Sequence, residues 1–361
     1  MMDTRFSVAE LERFGAAIFR ACGVSDDHAV ITARRLVEAD LRGRTGHGLI
    51  RVGPYVERIR AGGVNLRPDI RVCHETAVSA QIDADNGLGQ VAMTRAAELA
   101  IAKAESAGVA WVGTVRSNHA GAAGIYPAMA ARRGLIGIYC AVANANGMPV
   151  WGGVERLLGT NPLAIAIPAG DRAPFVLDIA TTVASHGTIK VAARAGEPLP
   201  DGWVVGPDGE WITDPARVDE GYLVPIGGYK GAGLNIAIGL LAGVLNGAAF
   251  GSDVIDHRVE LAMPTDTGQA MLVLRSDLFM PAADFAASVT RHLDELRGSG
   301  PDGASLRLPG DRAAELEEEQ GRLGIRVPEA LRIELNDTAS MLGLTERLGA
   351  ARPVADAEPI D

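Results

Sequence analysis

Residues 85–92 read Asp85-Asn86-Gly87-Leu88-Gly89-Gln90-Val91-Ala92, and two architectures compete for those glycines. The run fits Gly-x-Gly-x-x-Ala, follows the β-like stretch Val78–Asp83 and opens a helical one, which is the order of a dinucleotide-binding turn. A Rossmann turn also needs an acidic residue about 20 positions on, closing a second strand. Glu105 lies at a suitable distance, but it sits inside the helical stretch Ala96–Ala107. Asp83 and Asp85 would place two negative charges beside a pyrophosphate. We therefore read 85–92 as a helix start with glycine turns. A P-loop is absent too, because Gly227-Gly-Tyr-Lys-Gly231 lacks the Gly-x-x-x-x-Gly-Lys-[Ser/Thr] spacing.

Outward from that segment, β-like runs (Val109–Val115, Leu135–Val142, Leu163–Ile167, Phe175–Ile179, Ala270–Leu274) alternate with Ala-rich helical stretches near 90–107, 121–133 and 231–249. The ends differ in texture. Ser7 followed by Glu10 is a capping-box pattern, and Leu11, Phe14, Ile18 and Phe19 recur at helical spacing. A second helix is predicted from Asp26 to Leu41, and beyond about 282 the chain is helical and charged again, with a Gly/Pro break at 298–310. The expected class is α/β, with helical ends around a centre of strands. The expected division is a helical domain from 1–70 plus 295–345 and an α/β domain over 71–294. Residues 351–361 are acidic and Pro-containing, and read as a disordered tail.

The 361 residues carry 34 Lys and Arg against 45 Asp and Glu, a net charge of −11. General affinity for nucleic acid or an anionic membrane is not expected, since both depend on clustered cations. The longest apolar stretch, 234–250, is interrupted by Asn235 and Asn246 and is short of a spanning helix. The N-terminus has no apolar signal core, so a cytoplasmic protein is expected. Cys22, Cys73 and Cys140 are too widely spaced for a disulfide framework or a metal knuckle, and no histidine pair has ligand spacing. No metal is expected.

The most suggestive chemistry lies in Arg44-Thr-Gly-His47-Gly-Leu-Ile-Arg51-Val-Gly-Pro-Tyr55. On a helix, His47 and Arg51 at i and i+4 would share a face, pairing a proton donor with a carboxylate clamp. A surface helix start with a solvated Arg51 is the alternative. His119 lies in Ser117-Asn-His-Ala-Gly121-Ala-Ala-Gly124, a strand-end loop whose backbone N–H groups can meet phosphate, or simply a loop histidine with its bonds satisfied. Thr160-Asn161 and Asp178-Ile179-Ala180-Thr181-Thr182 flank buried strands as ligand contacts or as caps. Lys230 opens a long buried helix, where a cation gains nothing from the dipole, which favours an anion-binding role. The basic turn around Gly310-Asp311-Arg312 could bind phosphate or cap the acidic helix after it.

In order, these motifs resemble the malate/L-lactate dehydrogenase family, NAD(P)-dependent oxidoreductases without a Rossmann fold. They include His-Gly-x-x-Arg-x-x-x-Tyr (47–55), Asp-Asn-Gly-Leu-Gly-Gln (85–90), Ser-Asn-His-x-Gly-Ala-Ala-Gly (117–124), Gly-Thr-Asn-Pro (159–162), Asp-Ile-Ala-Thr-Thr (178–182), Gly-Gly-Tyr-Lys-Gly (227–231) and Leu-Pro-Gly-Asp-Arg (308–312). The resemblance runs from about residue 5 to about 345. It implies a largely antiparallel or mixed sheet, a homodimer, NAD or NADP as cofactor, and hydride exchange with a small 2-hydroxy or 2-oxo carboxylate. It implies that His47 is the acid/base, with His119 as the other candidate, that Arg51 holds the carboxylate, and that Tyr55 belongs to the site. Cofactor contacts would come from His119, Ala120, Gly121, Ala122 and Ala123, from Thr160 and Asn161, from Asp178 to Thr182 (Ile179, Ala180 and Thr181 between), from Tyr229 and Lys230, and from Gly310, Asp311 and Arg312.

Two positions depart from the family pattern. Most relatives carry Ser where this chain has Gly46, and the cyclic-imine reductases of the family carry Asp where Thr188 follows His186-Gly187. The relay those side chains form is missing here. Reduction of a cyclic imino acid is therefore the second reading, and a non-catalytic dinucleotide-binding homologue the third.

Overall fold

In the computed structural model, which describes residues 4–349, both chain ends belong to one hydrophobic cluster. The expected tail at 351–361 lies outside the described residues. Strand β1 (Thr4–Phe6) leads into α1 (Val8–Ala21) and α2 (Asp26–Leu41). Ser7 Oγ accepts the Glu10 N–H, which caps α1, while Leu11, Phe14 and Ile18 are buried on its inner face. After α3 (Val52–Arg60) the chain enters β2 (Arg71–Glu75), β3 (Ser79–Asp83), α4 (Gly89–Ala107), β4 (Val109–Ser117), α5 (Ile125–Ala131) and β5 (Leu135–Ala141). The short strands β6 (Met148–Pro149) and β7 (Arg156–Leu158) precede β8 (Leu163–Ala169), β9 (Arg172–Ile179) and α6 (His186–Ala195). Then come β10 (Val204–Val205), β11 (Tyr222–Leu223), α7 (Tyr229–Ala242) and β12 (Thr267–Arg275). The C-terminal part is α8 (Ala282–Arg297), α9 (Asp311–Leu323), β13 (Ile325–Val327) and α10 (Glu329–Met341).

Seven strands form the main sheet in the order β2-β3-β4-β12-β5-β8-β9. Five of its six neighbouring pairs are antiparallel, and only β3–β4 is parallel. That pair, joined through α4, is a single β-α-β unit, and residues 85–92 form its turn. The segment therefore imitates a dinucleotide turn because its local setting is that of one. The imitation ends where β12 inserts antiparallel between β4 and β5. Gly89 has a steric duty of its own, since a Cβ there would overlap the carbonyl oxygens of Asn118 and His119. Glu105 is spent on an ion pair with Arg133, and Asp83 on Arg116.

The cluster joining the ends contains Leu11, Phe14, Ile18, Phe19 and Leu36 with Ile325, Val327, Leu335 and Leu348. A second packs α4 and α5 on the sheet, through Met93, Ala97, Tyr126, Tyr139 and Met271. A third, which the sequence reading did not separate, joins Met148, Leu158, Ile189, Leu199, Val204 and Leu223 across the small strands and α6. The helix expected to be buried over 231–249 is a shorter α7, and its outer side exposes Leu234, Leu240 and Leu241. No described helix is long and apolar enough to cross a membrane.

Candidate active site

A cavity of about 620 Å³ opens between the N-terminal loop, the ends of β5, β8 and β9, and the start of α6. His47 and Arg51 both line it, but not as neighbours on one helix. Thr45–His47 and Leu49–Arg51 are separate single turns, broken at Gly48 (φ −91°, ψ −145°), and only from Val52 does α3 run on. The i and i+4 geometry expected from the sequence is corrected to a bent loop that presents both side chains to the same space. Arg51 Nε donates to the Gly46 carbonyl at 2.6 Å. Its terminal nitrogens make no hydrogen bond among the described residues, so a two-pronged donor is left for a carboxylate.

His119 stands beside His47, with ring centroids 5.7 Å apart and planes 17° from parallel. Its Nδ1 lies 2.6 Å from the Tyr55 hydroxyl, which in turn accepts from Gln90 Nε2 at 2.8 Å. Nδ1 is thus engaged and Nε2 is left for the pocket. The His47 ring has no hydrogen bond among the described residues. Burial pushes the Tyr55 hydroxyl up to about 12, so it stays protonated and orients the imidazole rather than exchanging charge with it.

Four of the seven histidines line this cavity: His47, His119, His186 and His257. His257, whose ring centroid is 5.5 Å from that of His119, had no signal in its sequence spacing. Burial lowers all four, and Arg51 adds to the effect at His47, His119 and His257. His47 and His257 are brought to about 3, and His119 is held well below the ordinary imidazole range. The free protein therefore presents neutral imidazoles, the state in which a histidine accepts a proton. A carboxylate settling on Arg51 cancels one of the cations that disfavour imidazolium, and so raises the proton affinity of His119.

Of the other residues singled out by sequence, Ala120, Gly121, Ala122, Ala123, Thr160, Asp178, Ile179, Ala180 and Thr182 line the same cavity. Tyr55, Asn161 and Thr181 stand behind its wall. Asn161 accepts the Ala143 N–H and donates to Asn235, and Thr181 donates to the Thr160 carbonyl, so both are occupied holding strand ends together. Asp178 pairs with Arg44 at 3.4 Å, and burial raises its carboxyl. Tyr229 and Lys230 are exposed outside the cavity, and Lys230 is the second residue of α7. Gly310 borders a small separate recess with Arg44 and Asp178. Asp311 pairs with Arg297, and Arg307 and Arg312 both pair with Glu315, so this turn braces α9.

Gly46 and Gly187 lie next to each other in the cavity wall. Among the described residues, a Cβ on Gly46 would meet nothing nearer than Gly187 Cα, at 3.9 Å, and one on Gly187 would stand 3.5 Å from Ser185 Oγ and 3.6 Å from Arg51 Nη2. Neither glycine has a positive φ, so their smallness leaves space rather than relieving strain. Beside them Ser185 Oγ and Thr188 Oγ1 bond to each other at 2.9 Å, where the missing Ser–Asp relay would stand. No group of three or more His, Cys, Asp or Glu able to hold a metal ion occurs among the described residues.

A family model described as malate/L-lactate dehydrogenase matches residues 6–336. The chain is 36% identical over 341 residues to the malate dehydrogenase of Pyrococcus horikoshii, covering 92% of this chain and 93% of that protein. The solved structure of that enzyme superposes with a TM-score of 0.86 at 34% identity, over 96% and 97% of the two chains. L-Sulfolactate dehydrogenase of Methanocaldococcus jannaschii is 37% identical over 331 residues, covering 91% of this chain and 94% of its own. The structure of delta1-piperideine-2-carboxylate reductase from Pseudomonas syringae pvar. tomato has a TM-score of 0.84 at 30% identity, over 93% and 99%.

Proposed function

The chain belongs to the malate/L-lactate dehydrogenase family, and from that premise we propose that it reduces a small 2-oxo carboxylate and oxidises the matching 2-hydroxy acid, with His119 as acid/base and Arg51 as carboxylate clamp. It is an NAD(P)-dependent oxidoreductase of the hydroxy acid type. The cavity fits such a cofactor in size, being within the range of about 300–1,000 Å³ usual for ligand sites. The turn at 120–123 carries only glycine and alanine, which lets a ligand approach its backbone. That turn, Thr160, Asp178 to Ala180 and Thr182 would hold the cofactor, which supplies or takes the hydride when bound.

The observation that carries the reading is the chain Gln90–Tyr55–His119, which ends beside the free donors of Arg51. In oxidation, neutral His119 takes the substrate hydroxyl proton at Nε2, and the Tyr55 oxygen holds the Nδ1–H of the imidazolium that results. In reduction the same proton returns to the developing alkoxide. Arg51 fixes the substrate carboxylate, and through its charge couples carboxylate binding to the protonation of His119.

The likeness to the piperideine-2-carboxylate reductase supports cyclic imino acids as a second substrate class. Against it stand Gly46 and Thr188, which supply no carboxylate relay. The test is consumption of NADH and NADPH with pyruvate, oxaloacetate, sulfopyruvate, 2,3-diketogulonate, and piperideine- and pyrroline-2-carboxylate. Turnover of a 2-oxo acid supports the reading, and turnover of the imines alone replaces it with the second. Cofactor binding with no turnover of any of them would make the protein a non-catalytic homologue.

The protein is further proposed to be a homodimer. The outer side of α7 and the turn after it expose Leu240, Leu241, Val244 and Leu245, an apolar strip that a second copy would cover. Light scattering that reads the mass of one chain would contradict this.

A further inference from the structure

Asp40 lies near the end of α2, directly beneath the loop that carries His47 and Arg51. The residue is 6% exposed, and its carboxylate makes one hydrogen bond among the described residues, accepting the Leu49 N–H at Oδ2 over 2.7 Å. Gly48 packs so closely on the same carboxylate that a Cβ there would overlap both oxygens. Since Gly48 has a negative φ, it is this contact, not backbone strain, that requires glycine.

Among the described residues, no cation balances Asp40. The charged groups on the elements around it are engaged elsewhere: Glu38 with Arg35 and Arg132, Arg42 with Glu317 of α9, Arg44 with Asp178. Arg51 turns its Nε to the Gly46 carbonyl, and Gln320 of α9 donates to the backbone oxygen of Asp40, not to its carboxylate. An unpaired buried carboxylate costs a fold stability. Proteins tolerate such a violation where a site needs it.

We propose that Asp40 is a positioning residue of the active site: its carboxylate clamps the backbone at Gly48–Leu49 and so sets the separation of His47 and Arg51. This rests on the reading that the loop supplies the carboxylate clamp. Burial pushes the Asp40 carboxyl up to about 7, opposed only by the Leu49 N–H. The ionised form accepts the stronger, charge-assisted bond, so the loop is held more firmly above that pH than below it. Stability moves the other way. The folded chain keeps a proton that the unfolded chain releases between about 4 and about 7, so the contribution of Asp40 to stability declines as pH rises through that window. One ionisation therefore tightens the loop while it weakens the fold, a pairing that a purely structural carboxyl would not produce.

The test uses the full chain with Asp40→Asn and Asp40→Ala, reading melting temperature against pH, cofactor Kd, and kcat and KM for a 2-oxo acid the wild type reduces. The Asn variant keeps an acceptor but loses the charge. It is expected to gain melting temperature over wild type at about pH 8 and not at about pH 5. The Ala variant, with no acceptor, is expected to raise KM about tenfold with cofactor Kd unchanged, the factor that one lost hydrogen bond corresponds to. The Asn variant is expected to recover most of that rise. For oxidation of the matching 2-hydroxy acid, in which neutral His119 is the base, wild-type kcat/KM is expected to fall as pH drops through about 7, and the Asn variant is expected to lose that limb. The pocket imidazoles do not supply it, because burial holds them well below that pH, and Asp178, also raised by burial, is common to all three proteins. Wild-type KM in both variants, or a limb that persists in the Asn variant, overturns the proposal. If the Ala variant does not fold, the pH profile of the Asn variant decides. A wild type inactive on every 2-oxo acid overturns the underlying reading and this proposal with it, whereas an active wild type with indifferent variants overturns the proposal alone.

Discussion

Replacing His119 by Ala is expected to lower kcat by about 10²–10⁴-fold, the usual contribution of a placed acid/base, while cofactor binding survives. His119, rather than His47, is the imidazole whose orientation is fixed. Tyr55 holds its Nδ1 at 2.6 Å and Gln90 holds Tyr55 at 2.8 Å. His47 contributes a stacked ring 5.7 Å away and lowers the proton affinity of His119 as a neighbouring basic group. His47→Ala is therefore expected to cost less than His119→Ala. Tyr55→Phe, which keeps the packing and deletes the hydroxyl, should fall between the wild type and His119→Ala. Steady-state kinetics on the three variants check this ordering. A larger loss in His47→Ala would restore the role that the family resemblance implies for His47.

Arg51→Met is expected to raise KM for 2-oxo carboxylates about 100-fold. Two charge-assisted hydrogen bonds at about 1.5 kcal/mol each amount to about 3 kcal/mol, and every 1.4 kcal/mol is a factor of ten. The loss should nearly vanish for an uncharged amide analogue of the same substrate, which offers the guanidinium no carboxylate. A second effect follows from electrostatics. Arg51 is, after burial, the largest cause of the low proton affinity of His119, so its removal should raise the His119 pKa and make imidazolium easier to form. In the oxidation direction, where neutral His119 is needed, the acid limb of kcat/KM should move to higher pH. Equal KM values for carboxylate and amide in both proteins would remove Arg51 from the site.

Six of the seven strands were legible as apolar runs punctuated by glycine, and Glu105 sat in a helix where a Rossmann turn needs a strand end; the edge strand β2 was not legible, since Arg71–Glu75 is polar and exposed. Strand order was not legible from the residues. β12 comes from some 150 residues beyond β4 yet separates it from β5, and no local pattern announces such a pairing. Of the candidate site, His47, Arg51 and His119 were legible in their motifs, and the fold brings all three to one cavity. The site was not legible at Gln90, which looked like one residue of a glycine turn until α4 placed it against Tyr55. His257 reaches the site only because the turn before β12 folds back onto the 118–119 loop, where its ring meets His119. The bend at Gly48 was missed because the spacing of His47 and Arg51 suits a helix, while the contact that breaks the helix comes from Asp40 of α2, outside the motif.

Direct hydride exchange between a nicotinamide cofactor and the 2-position of a carboxylate held on Arg51 leaves an isotopic signature in the product. The measurement that tests it most directly is the reduction of pyruvate or another 2-oxo acid by NADH or NADPH carrying deuterium at both C4 positions, with the product read by NMR in ordinary water. The expected product is a 2-hydroxy acid with deuterium at C2 and an exchangeable hydroxyl proton from solvent. A product with ordinary hydrogen at C2, or cofactor that is never consumed by any 2-oxo acid, would contradict direct hydride exchange.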